Sequence, residues 1–294
     1  MLTRLIYLFV LSFVCFPSNA QSLLDQLNND ISKKPDTIFV EATFKSTRIV
    51  SGQSVENVGK GGLNVIISHR FGNINTGVHQ LYGLDQNSVR IGLEYGLFDR
   101  LDIGLGRSRV QELVDTYLKF KLLKQSSGAV NMPVSVSLYS SAMITPMTFT
   151  DPNITYTTMD RMSYVNELLI ARKFSNQLSL QLTPGFVHRN LTETKKDKNF
   201  IPYVGAGGRY KLSNRIALSA EYYWVPPNLT AIKVYNPLSI GIDIETGGHV
   251  FQLHFTNSKG MNEKLMIPDN YNNWFKGDFG FGFNIIRHFN IKHE

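Results

Sequence analysis

The residues that most often carry catalysis or bind metals are scattered along this 294-residue chain. Metal sites need ligands at short, defined spacings, such as two histidines one helical turn apart. The histidines show no such spacing; they are His69, His79, His188, His249, His254, His288 and His293. Ser140, Ser219 or Ser239 could in principle pair with a histidine, but no spacing selects one of them. The sequence therefore predicts no enzymatic activity, no metal site and no cofactor.

Charged residues and glycines form a more regular pattern between residues 88 and 106. Apolar side chains at odd positions alternate there with charged side chains and glycines at even positions, interrupted only at residues 98–100. Successive side chains of a strand point to opposite faces, so the pattern predicts a hairpin with one apolar and one polar face. Repeated along the chain, it predicts a membrane-spanning β-barrel with lipid outside and a polar lumen.

The polar face is expected to line that lumen. A pore that selects strongly for one sign of charge would show that sign on its lining. Here five basic and six acidic side chains nearly cancel, which favours a cross-lumen network of ion pairs. The predicted network contains Arg90, Glu94, Asp102, Lys119, Lys121, Arg209, Glu221 and Asp243, and further candidates are Lys211, Glu245 and Asp278.

Four glycines on the same face predict a hollow in the lumen wall beneath Glu94. The expected register pairs Gly92 with Gly106, Glu94 with Gly104, Gly96 with Asp102, and Leu97 with Leu101. Glycine lets a strand bend as a barrel closes, which is the simpler explanation. The alternative is space for a ligand, an inward-folded loop or the N-terminal segment.

Aromatic and basic residues mark the expected edges of the membrane. Tyr95, Tyr210, Tyr222 and Trp224 lie at strand ends on the outward face, where interfacial girdles occur. A basic set near the outer rim could contact membrane lipids or lipopolysaccharide, or could simply be solvated; it consists of Arg107, Arg109, Lys195, Lys196 and Lys198.

The same alternation recurs along most of the chain and gives about thirteen strand-like segments. Closed single-chain barrels usually have an even number of strands. The ambiguity lies at residues 38–50, which need not span the membrane, and residues 162–174 are apolar without clean alternation. We predict an all-β, antiparallel, up-and-down barrel of about twelve strands, within a range of about 12 to 14. Short and long connections alternate, which would place the short turns in the periplasm.

The N-terminus reads as an export signal. Arg4, an apolar run over residues 5–16 and the sequence Ser18-Asn19-Ala20 predict a signal peptide cleaved after Ala20. Residues 21–37 would form a periplasmic segment, with an amphipathic helix as one interpretation of residues 22–32, and residues 38–294 the barrel. Cys15, the single cysteine, would be removed with the signal.

Composition narrows the function classes further. The remaining chain has no long apolar run, which excludes a helical membrane protein. The net charge is +7, but the sequence shows no basic helix and no aromatic-basic motif of the kind found in nucleic-acid-binding proteins. The sequence therefore does not predict nucleic-acid binding.

Several runs of residues resemble a known family. They are residues 67–72, 81–85 and 92–108, continued by 118–125 and 169–174. The chain is similar there to a family of bacterial outer-membrane β-barrel proteins of unknown function. The resemblance implies a barrel in the outer membrane and implies no reaction or substrate.

Two functions follow as hypotheses. The leading one is passive or weakly selective passage of a small polar solute through a narrow, charge-balanced lumen. The alternative is a plugged structural or adhesion barrel that binds a partner through its long external loops.

Overall fold

The computed structural model describes residues 36–146 and 155–291. Twelve antiparallel strands form a closed barrel in which neighbours along the chain are neighbours in the sheet, and the last strand pairs with the first. These wall strands are β2 (Gly62–Phe71), β3 (Asn87–Phe98), β4 (Leu101–Ser108), β5 (Val114–Leu123), β7 (Ser135–Ile144), β8 (Met162–Lys173), β9 (Leu178–Arg189), β10 (Phe200–Lys211), β11 (Ile216–Trp224), β12 (Leu238–Thr246), β13 (His249–Thr256) and β14 (Gly280–Asn290). The predicted all-β fold and the favoured strand number are confirmed.

Two short strands lie outside the wall. β1 (Ile38–Phe39) pairs with β6 (Ser126–Ser127) in a separate sheet. Residues 38–50 therefore do not form a spanning strand, which resolves the ambiguity that the sequence left open. The predicted signal peptide and the predicted helix over 22–32 lie outside the described residues.

The wall strands follow the two-residue period of the sequence. In β11, inward side chains are buried and outward side chains are exposed, without a break from one end to the other. The outward residues include Leu218 and Trp224, while Glu221 and Tyr223 point inward. This alternation leaves an apolar outer surface, as a lipid-facing wall requires.

The β3–β4 hairpin has most of the expected register. Gly92 pairs with Gly106, Glu94 with Gly104, and Gly96 with Asp102. The predicted pairing of Leu97 with Leu101 is wrong, because the register shifts between Gly96 and Phe98 and Phe98 pairs with Leu101. The extra residue is a bulge, which tightens the turn to two residues.

The two ends of the barrel differ. At one end, the short-turn end, the connections are residues 99–100, 124–134, 174–177, 212–215 and 247–248. At the other, the long-loop end, they are residues 72–86, 109–113, 145–161, 190–199, 225–237 and 257–279. Among the described residues the helical pieces are short: four 3-10 turns (Ile74–Thr76, Val78–Gly83, Val110–Glu112 and Trp274–Lys276) and the helix α1 (Glu263–Met266). None of these helices has the length and apolar character that crossing a bilayer requires.

The interior of the barrel is filled from both ends. Residues 40–61, here called the lumen segment, leave β1 at the short-turn end, reverse direction where Arg48 bridges Gln53, and return to β2. The backbone N–H of Gly61 donates to the carbonyl of Gly96 at 2.9 Å, which attaches the end of the lumen segment to β3. From the long-loop end, residues 257–270 fold inward around α1 and are almost entirely buried; we call them the inward loop.

Candidate functional site

All eight residues of the predicted lumen network are buried in the barrel. The structure brings few of them into contact with one another. Arg209 lies 3.6 Å from Asp243 and also contacts Glu245. Arg90 instead pairs with Asp115, which the sequence analysis did not single out. Most of the remaining charges contact the lumen segment rather than the opposite wall.

Glu221 holds the innermost turn of the lumen segment. Its carboxylate accepts hydrogen bonds from the backbone N–H groups of Val50 (3.2 Å), Ser51 (2.8 Å) and Gly52 (3.1 Å). A side chain at Gly52 would place its Cβ 1.6 Å from the Tyr223 hydroxyl, so only glycine allows this close approach. One wall carboxylate thus replaces the water that three consecutive backbone donors would otherwise need.

Two further wall carboxylates bind the two arms of the segment. Glu94 accepts hydrogen bonds from the hydroxyls of Thr47 and Tyr117. Asp102 accepts one from the backbone N–H of Val58 at 3.0 Å. Lys121 lies 3.8 Å from Glu56 of the segment. Lys119 is fully buried, and its ammonium group has no hydrogen-bond partner within the described part of the chain.

Amide side chains on the wall complete the binding of the segment. Gln181 accepts from the N–H of Val55 and donates to the carbonyl of Gln53, each at 2.8 Å. Asn284 donates to the carbonyl of Val50 at 2.7 Å, and Gln252 donates to that of Ile49 at 2.8 Å. None of these residues was predicted, because an uncharged polar residue on a strand carries no signal of its partner.

The inward loop covers an apolar part of the inner wall. Leu265, Met266 and Ile267 join a buried cluster with wall residues that include Val165 and Leu169. Both faces of β8 are therefore apolar in places, which explains why residues 162–174 showed no clean alternation. The inner wall therefore includes apolar as well as polar side chains, rather than being uniformly polar.

Charged contacts hold the inward loop at the long-loop end. Lys264 contacts Gln111 and lies 3.4 Å from Asp269. Gln111 donates to Asp269 at 3.0 Å, and Arg189 lies 3.5 Å from the same carboxylate. Burial lowers the pKa of Lys264, and the charge of Asp269 opposes that shift.

The predicted glycine hollow is filled by the protein itself. A Cβ at Gly104 would lie 2.1 Å from the Tyr117 ring, and one at Gly106 would lie 2.1 Å from the guanidinium of Arg90. Arg90 also occupies the space beside Gly92. At Gly96 the neighbour is the carbonyl of residue 59, which belongs to the lumen segment.

The predicted interfacial aromatics lie on the outer surface at strand ends. Tyr210, Tyr222 and Trp224 are exposed, and Tyr95 is half-exposed near the short-turn end. Tyr222 and Trp224 lie toward the long-loop end, where the Asn236 amide donates to the Tyr222 hydroxyl at 2.7 Å.

The basic set at the rim is exposed. Arg107 lies 3.9 Å from Glu112, Arg109 donates to Asn87 at 3.3 Å, and Lys195, Lys196 and Lys198 are exposed in the loop between β9 and β10. Asp278, a further lumen candidate, lies in a long loop and accepts from Asn75 at 2.6 Å, so its assignment to the inner wall is wrong.

Two of the three serine candidates contact groups other than histidine, and the third, Ser140, is exposed. Ser219 donates to Asp243 at 3.1 Å, and Ser239 donates to Glu221 and Thr256. His254 is buried and both of its ring nitrogens are without hydrogen-bond partners in the described residues. No cluster of potential metal ligands occurs in the part of the chain that the structure describes.

Several solved structures are similar in fold. The NanC porin, 8% identical in sequence, aligns over 79% of this chain and 100% of its own with a TM-score of 0.46. The COG4313 outer membrane channel from Pseudomonas putida F1, 12% identical, aligns over 80% of this chain and 98% of its own with a TM-score of 0.45. Outer membrane phospholipase A from Escherichia coli, in an active-site mutant, is 12% identical over 79% of this chain and 91% of its own, with a TM-score of 0.46.

Sequence comparison gives the family. No curated protein sequence matches the chain. A family model described as a membrane bound beta barrel domain (DUF5777) matches residues 44–289. This span includes the wall and most of the lumen segment, and the chain therefore belongs to the membrane bound beta barrel domain family.

Proposed function

We propose that the protein is an outer-membrane channel for small polar solutes that is closed in the described conformation. The channel opens when the lumen segment, residues 40–61, leaves the barrel; the inward loop then moves as well, because it packs against the segment in one apolar cluster. The short turns would face the periplasm, as is usual for bacterial outer-membrane barrels, so the segment enters from the periplasmic side.

This proposal rests on one observation: the carboxylates of the wall accept hydrogen bonds from the lumen segment. Glu94, Asp102 and Glu221 bind a segment that is not part of the wall and is joined to it through Gly61 and Gly62. A single hydrogen bond contributes about 0.5–1.5 kcal/mol net, because water replaces the lost partner. On release, water could solvate these wall charges, so release need not leave buried charges without partners.

The alternative, a plugged barrel that binds a partner through its long loops, draws support from the inward loop. Its apolar contacts with Val165 and Leu169 close the long-loop end. A channel therefore requires movement of this loop as well, whereas an adhesion barrel requires neither movement. Catalysis receives no support, because Ser219 and Ser239 bond to groups other than histidine.

Planar-bilayer recordings separate the two proposals. We expect rare, brief openings of the wild-type protein. Combining Glu221→Ala with Asp102→Ala removes the acceptors of four backbone N–H groups, so open probability should rise by about tenfold or more. Asp160→Ala, in an exposed loop, is the control and should behave as wild type.

Folding of each variant is checked by its heat-modifiable migration on a denaturing gel. A folded double variant that conducts no more than the wild-type protein would contradict the channel and favour the plugged, partner-binding barrel.

A further inference from the structure

The guanidinium group of Arg48 lies where the lumen segment, the wall and the inward loop meet. It is 4% exposed, and its Nε lies 3.8 Å from Glu94 of the wall. Its Nη1 lies 3.9 Å from Glu263 of the inward loop. One residue of the lumen segment therefore contacts both structures that surround it.

The hydrogen bonds of the Arg48 side chain stay within its own segment. Nη1 donates to the carbonyl of Ser51 at 3.1 Å. The amide of Gln53, in the orientation that suits its neighbours, accepts from both Nη atoms at 3.1 and 2.9 Å. Toward the wall and the inward loop, by contrast, Arg48 makes only long ion pairs, and its Nε has no hydrogen-bond partner among the described residues. The surrounding groups thus bind a charge without fixing its orientation.

Those surrounding groups combine carboxylates with aromatic rings. The Cζ of Arg48 lies 6.0 Å from the centre of the Tyr117 ring, and Tyr139 packs against Tyr117 at 5.1 Å between ring centres. Tyr139 also donates toward Glu263 at 3.5 Å. Cations are bound well over aromatic faces beside carboxylates, particularly where water is excluded. We call Glu94, Glu263, Tyr117 and Tyr139 the cation cage.

Two buried carboxyl groups of the barrel interior each have an oxygen without a hydrogen-bond partner among the described residues. Glu167 is buried, and one of its oxygens accepts from Tyr203 at 2.6 Å. Its other oxygen, like one oxygen of Glu263, is buried with no hydrogen-bond partner in the described chain. When Arg48 leaves, water or a solute cation takes its place beside Glu94 and Glu263, and an organic cation can make charge-assisted contacts that water does not make.

We propose that the cage is a binding site for small organic cations of the guanidinium or ammonium class. While the lumen segment is inside the barrel, the guanidinium of Arg48 occupies this site in place of a solute. This inference rests on the proposed function in one respect: in the wild-type protein, a solute takes the place of Arg48 only when the segment is displaced. It names the class of solute that the open barrel would take.

Titration calorimetry on the full mature chain in detergent tests the cage. Arg48→Ala empties it, and ethylguanidinium supplies the missing group. We expect ethylguanidinium to bind the variant about tenfold or more tightly than it binds the wild-type protein, whose cage is occupied. Ethylurea, which has a similar shape and no charge, should not bind.

Two further variants assign the binding to the cage. Adding Glu94→Gln and Glu263→Gln to Arg48→Ala should weaken ethylguanidinium binding about tenfold or more. Arg209→Ala removes the guanidinium beside a different carboxylate pair, Asp243 and Glu245, while Lys45 still lies 3.3 Å from Glu245, and this variant should not gain binding. Equal binding by Arg209→Ala, or unchanged binding after both glutamine substitutions, would overturn the proposal.

Folding of Arg48→Ala gives a second readout. If the variant refolds poorly, recovery with ethylguanidinium and not with ethylurea supports the cage, and failure with both contradicts it. Calorimetry also separates this inference from the channel. Ethylguanidinium binding with no conductance in any variant would uphold the cage and contradict the channel. Conductance by Glu221→Ala/Asp102→Ala without ethylguanidinium binding would support the channel and contradict the cage.

Discussion

Glycines of the lumen wall leave space that large neighbouring side chains occupy. Gly104 leaves room for the ring of Tyr117, whose hydroxyl reaches Glu94. Gly106 does the same for the Arg90–Asp115 pair. The glycines therefore do not leave an empty hollow; they allow large polar side chains to lie flat against the wall.

Gly104→Ala tests this explanation. Its Cβ would lie 2.1 Å from the Tyr117 ring, so the ring must shift and its contact with Glu94 weakens. Overpacking of this kind typically costs about 1–3 kcal/mol. We expect the variant to lose its folded gel band at a lower temperature than wild type. Gly247→Ala is the matched control, because nothing lies within 4 Å of its Cβ; equal effects of the two substitutions would refute the role of Gly104.

At the scale of elements, the long loops close the barrel by contacts with one another. Asp197, between β9 and β10, accepts from the backbone N–H of Ala231, between β11 and β12, at 2.7 Å. It also accepts from the N–H and hydroxyl of Thr194 at 2.9 and 2.8 Å. A second link, from the N–H of Lys198 to the carbonyl of Leu229 at 2.8 Å, joins the same two loops.

The contact between these loops should depend on pH. Partial burial tends to raise the pKa of Asp197, but the donors from Ala231 and Thr194 outweigh it and the pKa is lowered. A carboxylate with a lowered folded-state pKa stabilises the contact above its ordinary pKa, and this contribution is lost as pH falls through the lowered value. We expect proteolysis of residues 190–199 to rise below about pH 4 in the wild-type protein.

Asp197→Ala supplies the comparison for that measurement. It should show the higher rate at neutral pH already, with little further change on acidification. A variant that keeps the wild-type pH profile would assign the acid sensitivity to another group.

At the scale of the whole molecule, the barrel and its contents are separate structures. The wall is a continuous hydrogen-bonded ring of strands, whereas the lumen segment is irregular and is bound mainly through side chains of the wall. Opening can therefore leave the ring intact.

A reversible cross-link tests whether the segment must move. The hydroxyl of Ser137 on the wall donates to the carbonyl of Val55 at 3.1 Å, and the mature chain is predicted to have no cysteine of its own. In the Glu221→Ala/Asp102→Ala background, Val55→Cys with Ser137→Cys should conduct when reduced and close when oxidised. Val55→Cys alone should conduct under both conditions. Conduction through the oxidised, cross-linked barrel would show that solutes pass without release of the segment.

The sequence by itself determined the wall. Alternation along a strand is local, so the apolar outer face, the inward glycines and the pairing of Glu94 with Gly104 follow from neighbouring residues. The contents of the lumen were decided by the tertiary structure. The bond between Glu221 and Ser51 joins residues 170 positions apart, and that between Gln181 and Val55 joins residues 126 apart. No local period encodes such partners, because they exist only once the closed ring brings distant strands around the same space.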